Sequence, residues 1–114
     1  MNLNDVRRIA ISLPEVTEEP HFKYTSFRVK GKIFATAPPD GGHVHIFVAD
    51  EDCDLAVLMD PRFIEKLLWG GKVRGVRVAL SRAKMAVVAR LLKKAWLLRA
   101  PKALAAAVRA SERT

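Results

Sequence analysis

The alternation of apolar and polar residues divides the chain into helical and extended stretches. Val6, Ile9, Ala10 and Leu13 keep the i, i+3, i+4, i+7 spacing of one helix face. Asn2 or Asn4 can cap that helix, Asp5 suits its positive end, and Pro14 stops it. The acidic run from Glu15 to Pro20 reads as a loop. Phe27 to Val29 and Ile33 to Thr36 alternate on either side of Gly31, and His43 to Val48 follows a Pro-Pro-Asp-Gly-Gly turn, which predicts three strands in succession.

Two registers fit the hairpin around Gly31. A three-residue loop ending in a left-handed Gly31 pairs Arg28 with Lys32 and puts Phe27, Ile33 and Ala35 on one face. A two-residue Lys30-Gly31 turn groups Phe27, Val29, Lys32 and Phe34 instead, mixing a cation into the apolar side. Burial favours the first.

Asp50-Glu51-Asp52 opens a helix to about Met59, with its acids at the positive end. Asp60-Pro61 begins a second short helix through Phe63, Ile64, Leu67 and Leu68, which Trp69-Gly70-Gly71 breaks. Lys72 to Leu80 alternates as the last strand, with Gly75 a candidate bulge. Ser81 caps a long helix to about Leu98. One wide side of it holds Met85, Val87, Val88, Leu91, Leu92, Ala95, Trp96 and Leu98, and the opposite third holds Arg82, Arg90, Lys93 and Lys94. Pro101 starts an alanine-rich final helix. This order implies an α+β fold: an antiparallel β-sheet of about four strands packed against helices, with an N-terminal helix, then a β-meander, then C-terminal helices.

A chain of 114 residues, 50% hydrophobic and 28% charged, has the size and composition of one globular domain, here residues 1–114 with a basic, alanine-rich helix over 101–114. No apolar run approaches the ~18 residues of a membrane span. With a lone cysteine and a polar N-terminus, a cytoplasmic setting and no membrane partner are expected.

Charge changes the picture more than composition does. Residues 1–60 carry six Lys and Arg against ten Asp and Glu; residues 61–114 carry fourteen against two. Such polarity suggests an anionic partner, of which nucleic acid is the commonest. Three groups of cations can reach phosphate. They are the hairpin (Arg28, Lys30, Lys32), the last strand and its approach (Lys72, Arg74, Arg77), and the polar face of the long helix (Arg82, Arg90, Lys93, Lys94). No helix-turn-helix recognition helix accompanies them.

Signals for catalysis are weak. His43 and His45 share one side of a strand, and His21 can add a third imidazole, but a metal site needs three or four convergent ligands. Cys53 stands among Asp50, Glu51, Asp52 and Asp54, which disfavour its thiolate, so it reads as a buried spectator. Ser81-Arg82-Ala83-Lys84 matches Ser-x-x-Lys without the companion elements of a penicillin-recognising enzyme. Lys72 follows Gly70-Gly71 without the full phosphate-loop pattern. No catalytic residue and no cofactor are expected.

Leu13-Pro14-Glu15-Val16, followed by Phe27-Arg28-Val29-Lys30-Gly31-Lys32-Ile33-Phe34-Ala35, resembles the YjbR/MmcQ family, and the likeness runs on through Arg77-Val78-Ala79-Leu80 and the closing helix. It implies a frataxin-like (CyaY-like) topology and carries a DNA-binding label. The chain departs from that pattern in lacking a tryptophan just before the last strand. The expected function is therefore that of a non-catalytic bacterial protein making weak, non-specific contacts to DNA. The alternative is an adaptor domain that binds an acidic protein.

Overall fold

The computed structural model describes residues 1–112; Arg113 and Thr114, the end of the expected C-terminal helix, lie outside the described residues. Among the described residues, four α-helices accompany one six-stranded sheet: α1 (Leu3–Ser12), β1 (Val16–His21), β2 (Tyr24–Val29), β3 (Lys32–Ala37), β4 (His43–Ile46), α2 (Asp50–Met59), β5 (Ile64–Trp69), β6 (Lys72–Ala79), α3 (Met85–Arg99) and α4 (Lys102–Glu112). Strand order is β1-β2-β3-β4-β6-β5, and every neighbouring pair is antiparallel. The α+β architecture expected from the sequence is present, with helices backing one face of the sheet.

Asn2 caps α1 in a capping box with Asp5, and Val6 and Ala10 are buried. Against the sheet, α3 packs Val88, Leu91, Leu92, Ala95 and Trp96. The indole N–H of Trp96 donates to the Pro14 carbonyl at 3.0 Å, joining the segment that follows α1 to the last turn of α3. Facing them are Phe27, Val29, Phe34, Ala35, Val44, Ile46, Val76 and Val78, all without solvent exposure.

Several expectations are corrected. The acidic run is an edge strand, β1: an outermost strand tolerates Pro20 and its glutamates because one side makes no ladder bonds. Ile64 to Leu68 is strand β5 and not a helix. Ile64 packs in the core while Leu67 is buried on the other face, and a register shift at Leu67/Leu68 breaks the simple alternation. These two strands raise the count from the expected four or so to six. The first hairpin closes with the two-residue Lys30-Gly31 turn, both residues at positive φ (49° and 82°) and Val29 opposite Lys32. The disfavoured register is realised because a bulge between Phe27 and Arg28 resets the pairing, so Phe34 and Ala35 are both buried while Lys32 stays exposed at the strand end. Ser81 sits in a 3₁₀ turn and caps nothing; α3 starts at Met85 behind Lys84, and Met85 and Leu98 are exposed. Gly75 does stand at an irregularity, for β6 carries Arg74 as an extra residue there.

The antiparallel order fixes the ends of the sheet. The Lys30-Gly31 and Gly70-Gly71 turns leave one end, and the β1–β2 turn and the β3–β4 connection leave the other. No helix among the described residues is long and apolar enough to cross a membrane.

Candidate ligand face of the sheet

Side chains alternate across a strand, so every strand that buries Phe27, Ile46 or Val78 against the helices sends its other residues to the opposite face. That face receives His21, Tyr24, Ser26, Arg28, Thr36, His43, His45, Glu65, Leu67 and Arg77, and among the described residues no helix packs on it.

A groove of about 500 Å³ crosses it. Phe22, Tyr24, Phe47 and Trp69 contribute rings, Ile33 and Leu67 contribute aliphatic walls, and Arg74 and Arg99 stand at its rim. Arg99 belongs to α3 yet lines this groove beside Phe47, the residue that follows β4. It donates to the Phe47 carbonyl and lies 5.9 Å from the centre of the Phe47 ring. Burial lowers its pKa from the usual arginine value.

Phe22 is the most unusual of these residues. It is 92% exposed and holds φ at 57°, in a two-residue turn between His21 and Tyr24 where glycine is the usual choice. A bulky side chain there costs about 1–2 kcal/mol. Its ring packs edge-on against His21, with centroids 4.8 Å apart. Trp69, the last residue of β5, is 64% exposed.

The polar floor differs from the rim. His45 is only 4% exposed, and Thr36 lies directly opposite it across the β3–β4 ladder, also buried. The Tyr24 and His45 rings are 6.0 Å apart. Burial first, then Arg77 and His43, lowers the pKa of His45, with Asp40 opposing, so the imidazole is held in its neutral form. His43 instead pairs with Asp40 at 2.9 Å, and no group of three potential ligands is arranged for a metal among the described residues.

The ten cations picked out in the sequence do not form one patch. Arg28, Arg74 and Arg77 share the open face. Lys30, Lys32 and Lys72 sit at the two hairpin turns on one end, and Arg82 lies in the 3₁₀ turn at the other. Arg90, Lys93 and Lys94 ride on α3, on the far side of the sheet. Several are already neutralised: Arg28 lies 3.9 Å from Glu19, Lys30 3.5 Å from Glu15, Lys94 3.3 Å from Asp52, Arg77 near both Asp40 and Glu65, and Lys93 against Glu112. Lys32, Lys72, Arg74, Arg82 and Arg90 have no acid partner among the described residues. No flat partner touches the open face and the Arg90, Lys93 and Lys94 side of α3 together.

Nothing in the sequence pattern gathers Phe22, Tyr24, Phe47, Trp69 and Arg99 into one site. The one local signal was a phenylalanine in a tight turn; the rest converge only through strand order.

The YjbR family model matches residues 11–98. The crystal structure of Deinococcus radiodurans protein DR2400, a DUF419-domain protein, superposes with a TM-score of 0.73 at 21% identity, covering 89% of this chain and 80% of that one, which establishes a shared fold. No curated protein matches the chain.

Proposed function

The chain belongs to the YjbR family, and we propose that it is a non-catalytic domain that binds single-stranded nucleic acid across the open face of its sheet. The observation that carries this reading is Phe22, an exposed ring kept in a costly backbone conformation beside a groove that also presents Trp69. Rings on an uncovered sheet face, bordered by arginines, suit unstacked bases with phosphates alongside. Duplex binding, as expected from charge alone, needs a continuous cationic surface, whereas the cations here are divided between opposite sides and partly neutralised.

Arg74 and Arg99 are the phosphate partners in this reading, with Arg28 and Arg77 tied to acids on the same face. Two phosphate contacts give a salt slope of about −1.4 on a logarithmic plot for a single strand. Fluorescence anisotropy with labelled 12-mers, single-stranded and duplex, at two salt concentrations is the test. We expect the single strand to bind more tightly, with a dissociation constant of about 10⁻⁴ to 10⁻⁶ M. Phe22→Ala and Trp69→Ala each weaken it about tenfold, within the range for losing one stacked base. Tighter duplex binding, or full affinity in both ring variants, overturns the proposal. An acidic protein segment, the alternative partner, would use Arg74 and Arg99 but leave both rings dispensable, so the same variants separate the two.

A further inference from the structure

His45 and Thr36 form a polar pair with no evident use inside the fold. The His45 imidazole is almost wholly buried, and its Nε2 has no hydrogen-bond partner; it is the single buried side-chain nitrogen or oxygen so placed among the described residues. Buried polar atoms are nearly always paired, so an unpaired one calls for an explanation. Thr36, its direct cross-strand neighbour, makes no side-chain hydrogen bond among the described residues. Directly opposed side chains have Cβ atoms about 5 Å apart, so one small ligand edge can engage both. Both residues line the groove, with the Tyr24 and Phe47 rings beside them and Arg74 and Arg99 at its rim.

We infer that His45 and Thr36 form a subsite for the edge of one planar nitrogen heterocycle, the chemistry of a nucleobase carrying a hydrogen-bond donor beside an acceptor. A neutral imidazole offers one donor and one acceptor nitrogen, and a hydroxyl offers both, so this pair can meet such an edge. Tyr24 and Phe47 flank the ring, and the anionic end reaches Arg74 or Arg99. A groove of about 500 Å³ is within the range for a ligand of nucleotide size. This rests on the single-strand reading only for where the base comes from, since a free nucleotide presents the same edge.

The test is titration of the full chain by tryptophan fluorescence, with Trp69 in the groove as reporter and Trp96 as a buried background. The probes are the four nucleoside monophosphates, ribose 5-phosphate, and homopolymer 12-mers. Expected is a preference of at least about tenfold for one base over ribose 5-phosphate. Thr36→Val and His45→Phe should each reduce that preference to within about twofold, with the melting temperature kept or raised because an unpaired polar group has been removed. The preservative Thr36→Val change keeps the test open if His45→Phe does not fold. Equal binding of ribose 5-phosphate and all four nucleotides overturns the subsite, as does unchanged base preference in the folded variants. Selective binding of a mononucleotide with no binding of any 12-mer overturns the single-strand reading and leaves the subsite standing.

Discussion

Gly75 offers the sharpest test of how the open face is built. It opposes Leu67 on β5 and lies against the end of β4. A Cβ added there would stand 2.2 Å from the Ile46 carbonyl oxygen, 2.9 Å from Phe47 Cα and 3.0 Å from Ile46 carbonyl carbon. All three are backbone atoms, so no side chain can turn aside. Relief demands a shift of roughly 1 Å between β6 and β4, given ordinary carbon contacts near 3.5 Å, and β4 has only four residues with which to hold its ladder. Overpacking of this kind costs about 1–3 kcal/mol, and a weakened ladder bond adds about 1 kcal/mol. Gly75→Ala should thus lose about 3 kcal/mol. With an unfolding entropy of about 2.1 cal/mol/K per residue, that lowers Tm by about 12 °C for a chain of this size. Gly31→Ala is the control: its φ is +82° but nothing lies within 4 Å, so only backbone strain of about 1–2 kcal/mol applies. Thermal unfolding followed by circular dichroism measures both. If Gly75→Ala melts within about 2 °C of wild type, or no lower than Gly31→Ala, the strands at this point are not in rigid contact and the reasoning fails.

Two further outcomes follow from buried groups. Because His45 has a lowered pKa when folded, its contribution to stability is complete above the unfolded value of 6.5 and is lost as pH falls through the folded pKa. Tm should therefore decline from pH 7 to pH 5 and decline less in His45→Phe; equal slopes would count against a neutral buried imidazole. Cys53 is fully buried, its Sγ 3.6 Å from the Val48 carbonyl oxygen, and burial followed by Asp50, Asp54 and Asp52 pushes its pKa up. A thiol-specific chromogenic reagent at pH 8 should label it slowly when native and rapidly in urea, and fast native labelling would contradict this.

The sequence disclosed those parts of the fold whose local pattern agrees with their burial. The α1 face with its Asn2 cap, the alternating β6 and the α3 core stripe are of this kind. The spacing of Phe63, Ile64, Leu67 and Leu68 is helix-like and hides β5, in which Ile64 and Leu67 are buried on opposite faces of a strand. β1 carries no strand pattern because the rules for interior strands do not bind an edge, where Pro20 and Glu19 are allowed. The hairpin register turned on a bulge, which a strict period of two cannot reveal. The cations were visible but their separation was not, since Lys94 and Arg74 lie on opposite sides of a sheet whose strand order had to be known first. The groove was the least legible feature, for Phe22, Phe47 and Trp69 come from three distant stretches and look like isolated apolar residues in the chain.

The strand order also says when this face comes into existence as the chain folds. Every adjacent pair in the sheet is close in sequence except β4 with β6, where Ile46 meets Val76. Closing that span of roughly 30 residues costs about 3 kcal/mol of chain entropy, whereas the two-residue hairpins on either side close cheaply. The β1–β4 meander and the β5–β6 hairpin should accordingly form early and dock late. Phe22 and Phe47 belong to the first half and Trp69 and Arg74 to the second, so a nascent or partly unfolded chain holds both halves of the groove and no groove at all.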